Sequence, residues 1–255
     1  MSPKDYEQAP LFKNIFLILL LFSGVAQADA LKPKYQSGTV PLSIDSGYFR
    51  SNRAPDFWVL MPYYMAQQDG KSCSLASSVM VMNAIRSTLA MTLTSEDSLL
   101  TQTSLLEKSK SELWKKNLGP LGQGVTLDEL KSVIEASIRS LGVNEFEVRL
   151  HRVDGTGSEA LKSLRKDLST NEKTSLNFMI INYLQGLLTG DAAVGHIAPI
   201  GAYDDKKHRV LVLDPDREWY EPYWVSDELL LKSMATLDSI SKKNRGYLFI
   251  RLGRQ

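Results

Sequence analysis

Residues 67–86 read QQDGKSCSLASSVMVMNAIR and contain Cys73, the single cysteine of the 255-residue chain. The residues after it are mostly small or apolar, and Leu75, Val79 and Met82 recur at helical spacing. This pattern predicts a buried helix, and Ser72 directly before it is a typical N-cap residue. The sequence therefore places its only thiol at the N-terminus of a core helix.

The composition of the chain is that of a globular protein. It is 43% apolar and 23% charged, with a formal net charge of +1. Basic residues form no long stripe and do not alternate with aromatic ones, so we expect no binding to nucleic acid. The length fits one domain of ordinary or large size.

The N-terminal residues predict export. Lys13 precedes a run of about twelve apolar residues, which is shorter than the roughly 20 that a membrane-spanning helix needs. Ala26, Ala28 and Ala30 then offer two small-x-small cleavage sites. We therefore predict a signal peptide over residues 1–30, cleaved near Ala28 or Ala30, and a single domain over residues 31–255. The mature protein is expected in the periplasm or secreted, without a stable membrane anchor.

Export to an oxidising compartment affects how the single cysteine is interpreted. Oxidising compartments favour paired cysteines, and Cys73 has no partner for an internal disulfide. It is either a small apolar filler of the core or a reactive thiol.

Hydrophobic patterning predicts helices in the first half of the chain and strands in the second. Residues 31–60 read as polar loop, residues 92–118 as broken helix, and residues 126–141 as a helix with a capping box from Thr126 and Glu129 that stops at Gly142. Strands are predicted near residues 145–153, 175–184 and 245–252, with helices near 157–169 and 226–238. This segregation indicates an α+β fold.

The stretch GHIAPIGAYDDKKHRVLVLDPD, residues 195–216, predicts a β-hairpin that turns at residues 204–207. Residues opposite each other in such a hairpin have numbers that sum to a constant near 411. His196 and Asp214 sum to 410, so their side chains are expected close together on neighbouring strands. A register slip of one residue would place them on opposite faces.

A carboxylate beside an imidazole fixes its tautomer and stabilises the imidazolium form. A thiolate at Cys73 would be stabilised by the helix dipole and by that imidazolium. The amide of Gln67 could donate to an oxyanion together with the backbone N–H of Cys73. These four residues together predict a cysteine acyl-transfer site.

Each of these residues also has an ordinary structural interpretation. Cys73 could fill the core, His196 could be a satisfied core or surface residue, Asp214 could be a turn residue, and Gln67 alone means little. The other two histidines, His151 and His208, are expected to be solvated. None of the three histidines has metal-ligand spacing with other ligands, so no zinc site is predicted.

Four stretches of the chain carry a resemblance to a known family. They are the Gln67-to-Cys73 spacing with the helix after it, GVTLDEL at residues 124–130, GHIAPIGAY with His196, and VLVLDPDREWYEPYWV with Asp214 and Arg217. They resemble prokaryotic members of the phytochelatin synthase family, which are papain-like cysteine enzymes. The resemblance runs from about residue 40 to the C-terminus. It implies a papain-like fold, with the nucleophile in a helical half and the histidine and aspartate in an antiparallel β half.

The resemblance implies an activity on glutathione. Cys73 would attack the carbonyl between cysteine and glycine, release glycine and form a γ-glutamylcysteinyl thioester. Water would then give γ-glutamylcysteine, the dominant outcome expected here, and a second glutathione would give a phytochelatin. No cofactor is required, because cadmium or zinc would enter as metal–glutathione thiolate substrates. The resemblance also implies a homodimer.

By position in the family, Asn182, Asp238 and Arg245 correspond to residues that hold the γ-glutamyl group, with Asp238 for its amine and Arg245 for its carboxylate. Arg217 corresponds to another arginine near the site. The chain departs from the family pattern at three places. Ser72 and Ser74 replace an aromatic and a glycine beside the cysteine, and Gln185 replaces an arginine.

Two alternatives to this function stay open at the level of sequence. One is a papain-like hydrolase acting on another γ-glutamyl compound or small peptide, which the loss of a cation at Gln185 would favour. The other is a non-enzymatic module that binds thiols or metals through Cys73.

Overall fold

The computed structural model describes residues 35–91, 98–191 and 193–253. The predicted signal peptide lies outside these ranges and stays a prediction, as does the part of the predicted broken helix at residues 92–97. Within these ranges, no helix is long and apolar enough to cross a membrane.

A seven-stranded sheet, antiparallel throughout its described pairings, organises the domain. Its strands are β1 (Val40–Pro41), β2 (Phe146–Arg152), β3 (Asn177–Leu184), β4 (Gly195–Asp204), β5 (Arg209–Val212), β6 (Tyr223–Ser226) and β7 (Gly246–Leu252). The strand order is β1-β6-β5-β4-β3-β7-β2. The strands β3 and β4 therefore lie near its centre.

Helices cover both faces of the sheet. They are α1 (Pro55–Leu60), α2 (Cys73–Thr88), α3 (Gln102–Ser109), α4 (Glu112–Leu118), α5 (Leu127–Ser140), α6 (Ser158–Asn171), α7 (Gly186–Thr189) and α8 (Asp227–Met234). Helices α1 and α2 pack on β4 and α5 on β2 and β7, whereas α6 and α8 pack on β3. Every residue of β3 except the last is buried, which explains its continuous apolar run.

The predicted α+β fold is confirmed. The helices α1 to α5 precede all but the shortest strand, and the antiparallel strands follow. The predicted division is also confirmed, because a helical half carries Cys73 and the antiparallel half carries His196 and Asp214. One expectation was wrong: residues 31–60 are not all loop, since they include α1 and a 3₁₀ turn at Gly47–Arg50.

The helix α2 is the central element of the helical half. Every residue from Cys73 to Arg86 is buried, as expected for a helix surrounded by other elements. The predicted capping box of α5 is present, with Thr126 and Glu129 bonding each other's backbone N–H groups. Ser72 occupies the N-cap position of α2 but does not cap it. Its hydroxyl instead accepts from the backbone N–H groups of Gln68 and Asp69.

The hairpin of β4 and β5 turns one residue later than predicted. Asp204 pairs with Arg209, so the turn comprises residues 205–208 and opposite residues sum to 413 there. A β-bulge between Ile200 and Ala202 then lowers the sum to 412 at Ile200 and Val212. The strand β5 ends at Val212, so Asp214 lies just beyond the regular pairing.

The two remaining histidines differ from each other. His208 is exposed, as predicted, in the hairpin turn. His151 is not solvated as predicted, because its ring stacks on Tyr247 at 4.8 Å between centroids and its Nε2 lies 3.6 Å from a carboxylate oxygen of Asp167. It pairs with Tyr247 across β2 and β7, which explains the stacking.

One acid links α1 to the end of α6, and a second, half-buried acid follows that helix directly. Asp56 is fully buried and accepts a short hydrogen bond from the amide of Asn171. Next to it, Glu172 accepts from the Tyr48 hydroxyl at 2.9 Å and from the Tyr203 backbone N–H at 2.7 Å. Burial raises the pKa of Glu172 to about 7 against these hydrogen bonds, and it raises the pKa of Asp56 as well. The pKa of each acid is therefore higher in the folded state than in the unfolded one.

This arrangement predicts a loss of stability as the pH rises from about 4.5 to 7. Because the pKa of Glu172 is higher in the folded state than in the unfolded one, its stabilising contribution is complete below the unfolded value and is lost as the pH passes the folded value of about 7. Substitution Glu172→Gln should remove about 2 kcal/mol of this pH dependence, after allowance for solvent screening. Thermal or urea unfolding across this range measures it. The control substitution Glu159→Gln changes an exposed residue at the other end of α6 and should keep the wild-type slope of stability against pH. Equal slopes in the Glu172→Gln and Glu159→Gln variants would contradict the prediction.

Candidate active site

Cys73 is the first residue of α2, where the backbone N–H groups of the first helical turn are directed toward the site. The helix is fixed against β4 one turn later, because the Ser77 hydroxyl donates to the carbonyl oxygen of Ile197 at 3.0 Å. Ile197 directly follows His196. This contact therefore fixes the distance between the thiol and the imidazole through the backbones that carry them.

His196 lies between a carboxylate and the thiol. Its Nε2 is 2.7 Å from Oδ1 of Asp214, and both side chains are buried. Cys73 lies close enough to the same ring to contribute to the raised pKa of His196. Since Nε2 faces Asp214, the other ring nitrogen, Nδ1, is the one available to the thiol. The structure thus brings together the three residues that the hairpin pattern and the helix predicted.

Asp214 is held by a set of neutral donors on its other side. Its Oδ2 accepts from the hydroxyls of Tyr183 at 2.9 Å and Tyr223 at 2.8 Å, and from the Gln185 amide at 3.1 Å. Its Oδ1 also accepts from the backbone N–H of Asp216 at 2.9 Å. A fully buried carboxylate would be unstable without such partners. These donors fix the carboxylate so that Oδ1 faces the imidazole.

The charges of the pair reinforce each other. Burial alone would lower the pKa of His196, but the charges of Asp214 and Cys73 and hydrogen bonds to both raise it well above its usual value. Burial alone would raise the pKa of Asp214, but the His196 charge and the hydrogen bonds from its donors lower it. The arrangement therefore favours an imidazolium beside a carboxylate at neutral pH.

Gln67 lies on the loop before α2, and its amide nitrogen makes no hydrogen bond to the described residues. The loop is tied to the strand end, because the Gln67 backbone N–H donates to the carbonyl oxygen of Pro215 at 2.8 Å. The Gln102 amide holds the preceding residue by donating to the Ala66 carbonyl at 3.0 Å. The Oε1 atom of Gln67 is buried without a hydrogen bond. This orientation leaves the Nε2 group free to donate to a ligand.

A cavity of about 470 Å³ opens beside Cys73, in the size range of small-ligand sites. Its lining brings together three residues predicted to bind substrate, Asn182, Asp238 and Arg245. The Arg245 guanidinium bonds Oδ1 of Asn182 at 3.2 Å and Oδ1 of Asp238 at 3.3 Å, and its Nε is buried without a partner. The cavity therefore presents a cation, a carboxylate and an amide close together.

Asp238 is already engaged by its own loop. It accepts from the backbone N–H groups of Ile240 and Ser241 and from the Ser241 hydroxyl at 2.6 Å. Burial would raise the pKa of Asp238, but these hydrogen bonds and the Arg245 charge lower it. Gly195 completes the arrangement, because a Cβ there would lie only 2.8 Å from an Arg245 guanidinium nitrogen. The glycine thus lets the guanidinium approach the backbone of β4.

Arg217 does not join this cavity. It lines a second cleft of about 630 Å³ together with Gln67 and Trp219, and Gln67 does not line the cavity beside Cys73. Its guanidinium lies over the Tyr64 ring at 4.6 Å and donates to the Tyr64 carbonyl at 3.1 Å. Arg217 thus lies apart from Asn182, Asp238 and Arg245, and its predicted role in substrate binding stays a prediction.

Three residues around Asp214 were missed or misread from the sequence. Tyr183 and Tyr223 were not among the predicted site residues, although a buried tyrosine usually finds a partner for its hydroxyl and this was an available signal. Gln185 was interpreted as a lost substrate-binding cation. In the structure it is 4% exposed and directed at Asp214, outside the cavity that contains Arg245.

The described ranges contain no group of three or more His, Cys, Asp and Glu side chains suited to a metal ion. The predicted absence of a resident metal and the entry of cadmium or zinc as thiolate complexes stay predictions.

A family model for phytochelatin synthase matches residues 46–247 of the chain. The chain is 28% identical to glutathione gamma-glutamylcysteinyltransferase 3 of Lotus japonicus over 76% of its own length and 37% of the relative. It is 23% identical to glutathione gamma-glutamylcysteinyltransferase of Schizosaccharomyces pombe over 79% of its length and 44% of the relative. The chain thus spans less than half the length of these two relatives.

Among solved structures, the Pseudomonas avirulence protein AvrPphB aligns with 76% of this chain and all of its own, at 12% sequence identity and a TM-score of 0.36. A similarity this low bears on neither fold nor function.

The contact between His196 and Cys73 predicts a reactive thiol. Substitution His196→Ala should slow alkylation of Cys73 by iodoacetamide near pH 6 by roughly 10- to 100-fold, because the imidazolium no longer stabilises the thiolate. Intact-protein mass spectrometry over time measures the rate. The variant His151→Ala, which removes a histidine stacked on Tyr247, should keep the wild-type rate. Equal rates for wild type and His196→Ala would show that the imidazole does not activate the thiol.

Proposed function

Because the chain belongs to the phytochelatin synthase family, whose model matches residues 46–247, we propose that it is a cysteine acyltransferase and hydrolase acting on glutathione. The observation that carries the proposal is the contact of Cys73, at a helix N-terminus, with a histidine that is paired to a buried aspartate. The relatives' names, which describe transfer of the γ-glutamylcysteinyl group, support the choice of substrate.

In the first half-reaction the Cys73 thiolate attacks the carbonyl carbon between the cysteine and glycine of glutathione. The Gln67 amide and the Cys73 backbone N–H donate to the oxygen as it becomes negative. The C–N bond then breaks, and the His196 imidazolium gives its proton to the leaving nitrogen of glycine. A γ-glutamylcysteinyl thioester remains on Cys73.

In the second half-reaction the now neutral His196 takes a proton from the incoming nucleophile. Water yields γ-glutamylcysteine, and the α-amine of a second glutathione yields a phytochelatin. The thiolate leaves and the imidazolium is restored, so no net change of enzyme protonation occurs. Asp214 keeps its charge throughout and orients the imidazole.

The cavity next to Cys73 supports the γ-glutamyl end of this substrate. A γ-glutamyl group carries a free α-amine and α-carboxylate, which require a carboxylate and a cationic donor in the site. We assign the substrate carboxylate to Arg245, whose Nε is unpartnered, and the amine to Asp238 with the Asn182 amide beside it. The carboxylate oxygen atoms of Asp238 would then accept hydrogen bonds both from the substrate amine and from residues of its own loop.

The two alternative functions have less support than this one. A different γ-glutamyl substrate was suggested by the lost cation at Gln185, but this side chain bonds Asp214 and does not line the γ-glutamyl cavity. In a non-enzymatic module that only binds thiols or metals, His196 would not need a buried aspartate as its partner. Asp214 is such a partner, and five donors hold its carboxylate.

The proposal predicts the products. Residues 31–255 incubated with glutathione should release glycine and γ-glutamylcysteine, and with cadmium or zinc present also (γ-Glu-Cys)n-Gly peptides, as detected by mass spectrometry. Cys73→Ser and His196→Ala should abolish turnover, and Asp214→Asn should reduce it by roughly 100-fold or more, the scale of a wrong imidazole tautomer. Full activity in Cys73→Ser would falsify the scheme.

A further inference from the structure

We propose that Lys71 is a specificity residue that binds the glycine carboxylate of the donor substrate. The inference rests on the proposed function, because it concerns the group that leaves in the first half-reaction. It starts from the position of Lys71, two residues before Cys73 and in the lining of the same cavity.

Lys71 is the cation of this cavity that has no carboxylate partner within the described ranges. Arg245 is paired with Asp238, whereas the Lys71 ammonium contacts only the backbone carbonyls of Gly119 at 3.4 Å and Pro120 at 3.1 Å. An ammonium has three N–H donors, so one remains for a ligand. The two carbonyl contacts hold the side chain at the rim of the cavity.

The charges of cavity and substrate complement each other. In the proposed mechanism the thiolate charge of Cys73 is balanced by the His196 imidazolium. Among the other lining residues, Lys71 and Arg245 contribute two positive charges and Asp238 one negative charge, which leaves one net positive charge. Glutathione at neutral pH carries two carboxylates and one ammonium, which leave one net negative charge. Once Arg245 takes the γ-glutamyl carboxylate and Asp238 the amine, the glycine carboxylate is the remaining charge of the substrate.

The location of Lys71 suits this carboxylate. The glycine is bonded directly to the carbonyl that Cys73 attacks, and its carboxylate lies only two bonds beyond the scissile nitrogen. Gly70, the residue before Lys71, lines both the cavity beside Cys73 and the second cleft, so Lys71 lies where these two spaces adjoin. A lysine side chain anchored there is long enough to reach a carboxylate near the scissile bond.

The test compares glutathione with its glycine monoethyl ester, which gives the same acyl-enzyme and the same γ-glutamylcysteine but lacks this carboxylate. The wild-type kcat/KM should be roughly 10-fold lower for the ester, the loss expected for one hydrogen bond between charged groups. Lys71→Met should lower kcat/KM for glutathione by a similar factor and leave the ester unchanged. Lys71→Arg should restore most of the discrimination. Lys206→Met, an exposed lysine in the turn between β4 and β5, should behave as wild type.

Three outcomes would overturn the assignment. Equal losses for glutathione and ester in Lys71→Met would mean that the lysine acts by holding the loop at Gly119 and Pro120. A wild-type enzyme that does not discriminate the two compounds would show that the carboxylate is not bound. Absence of γ-glutamylcysteine from both compounds would contradict the proposed function itself, and the assignment with it.

Discussion

The structure of the site depends on one buried charge, the Asp214 carboxylate. Removing a carboxylate from water is costly unless every oxygen atom is compensated. Here five donors from four parts of the chain supply that compensation: His196 on β4, Tyr183 at the end of β3, Gln185 after it, Tyr223 on β6, and the backbone N–H of Asp216. Only the folded sheet brings these donors together, so the carboxylate can stay buried and charged only in the folded protein.

The backbone at Asp214 and Pro215 also connects the sheet to the helical half. The Tyr64 hydroxyl donates to the Asp214 backbone carbonyl at 2.7 Å, and the loop that carries Gln67 is bonded to Pro215. Ser77 ties α2 to the strand that carries His196. These contacts hold the backbones that carry Cys73, His196 and Gln67 in place before substrate binds, as the proposed electrostatic catalysis requires.

Much of the fold and the central triad followed from local sequence patterns. The capping box at Thr126 and Glu129, the buried run of α2 and the hairpin all have short-range signals. The hairpin register did not, because the turn forms one residue later than its sequence suggests, and the bulge between Ile200 and Ala202 then changes the register again. The prediction that His196 contacts Asp214 held despite this error. Asp214 lies beyond the paired part of β5, so the pairing register does not determine the direction of its side chain.

The role of Gln185 could not be predicted from the sequence. Its position relative to family members suggested a contact with substrate, but a side chain after the end of a strand can face either way. Only the three-dimensional structure shows that it joins Tyr183 and Tyr223 at Asp214. Likewise the loop bonds of Asp238 depend on how residues 238–245 fold back, which has no periodic signal.

The central claim is that Cys73 forms a covalent acyl-enzyme, and trapping that species tests it most directly. Wild-type protein mixed with glutathione and quenched in acid within seconds should carry a γ-glutamylcysteinyl adduct on the peptide that contains Cys73, removable by hydroxylamine as expected of a thioester. Intact-protein and peptide mass spectrometry would detect it. Steady glycine release with an unmodified Cys73, or an adduct on another residue, would contradict the claim.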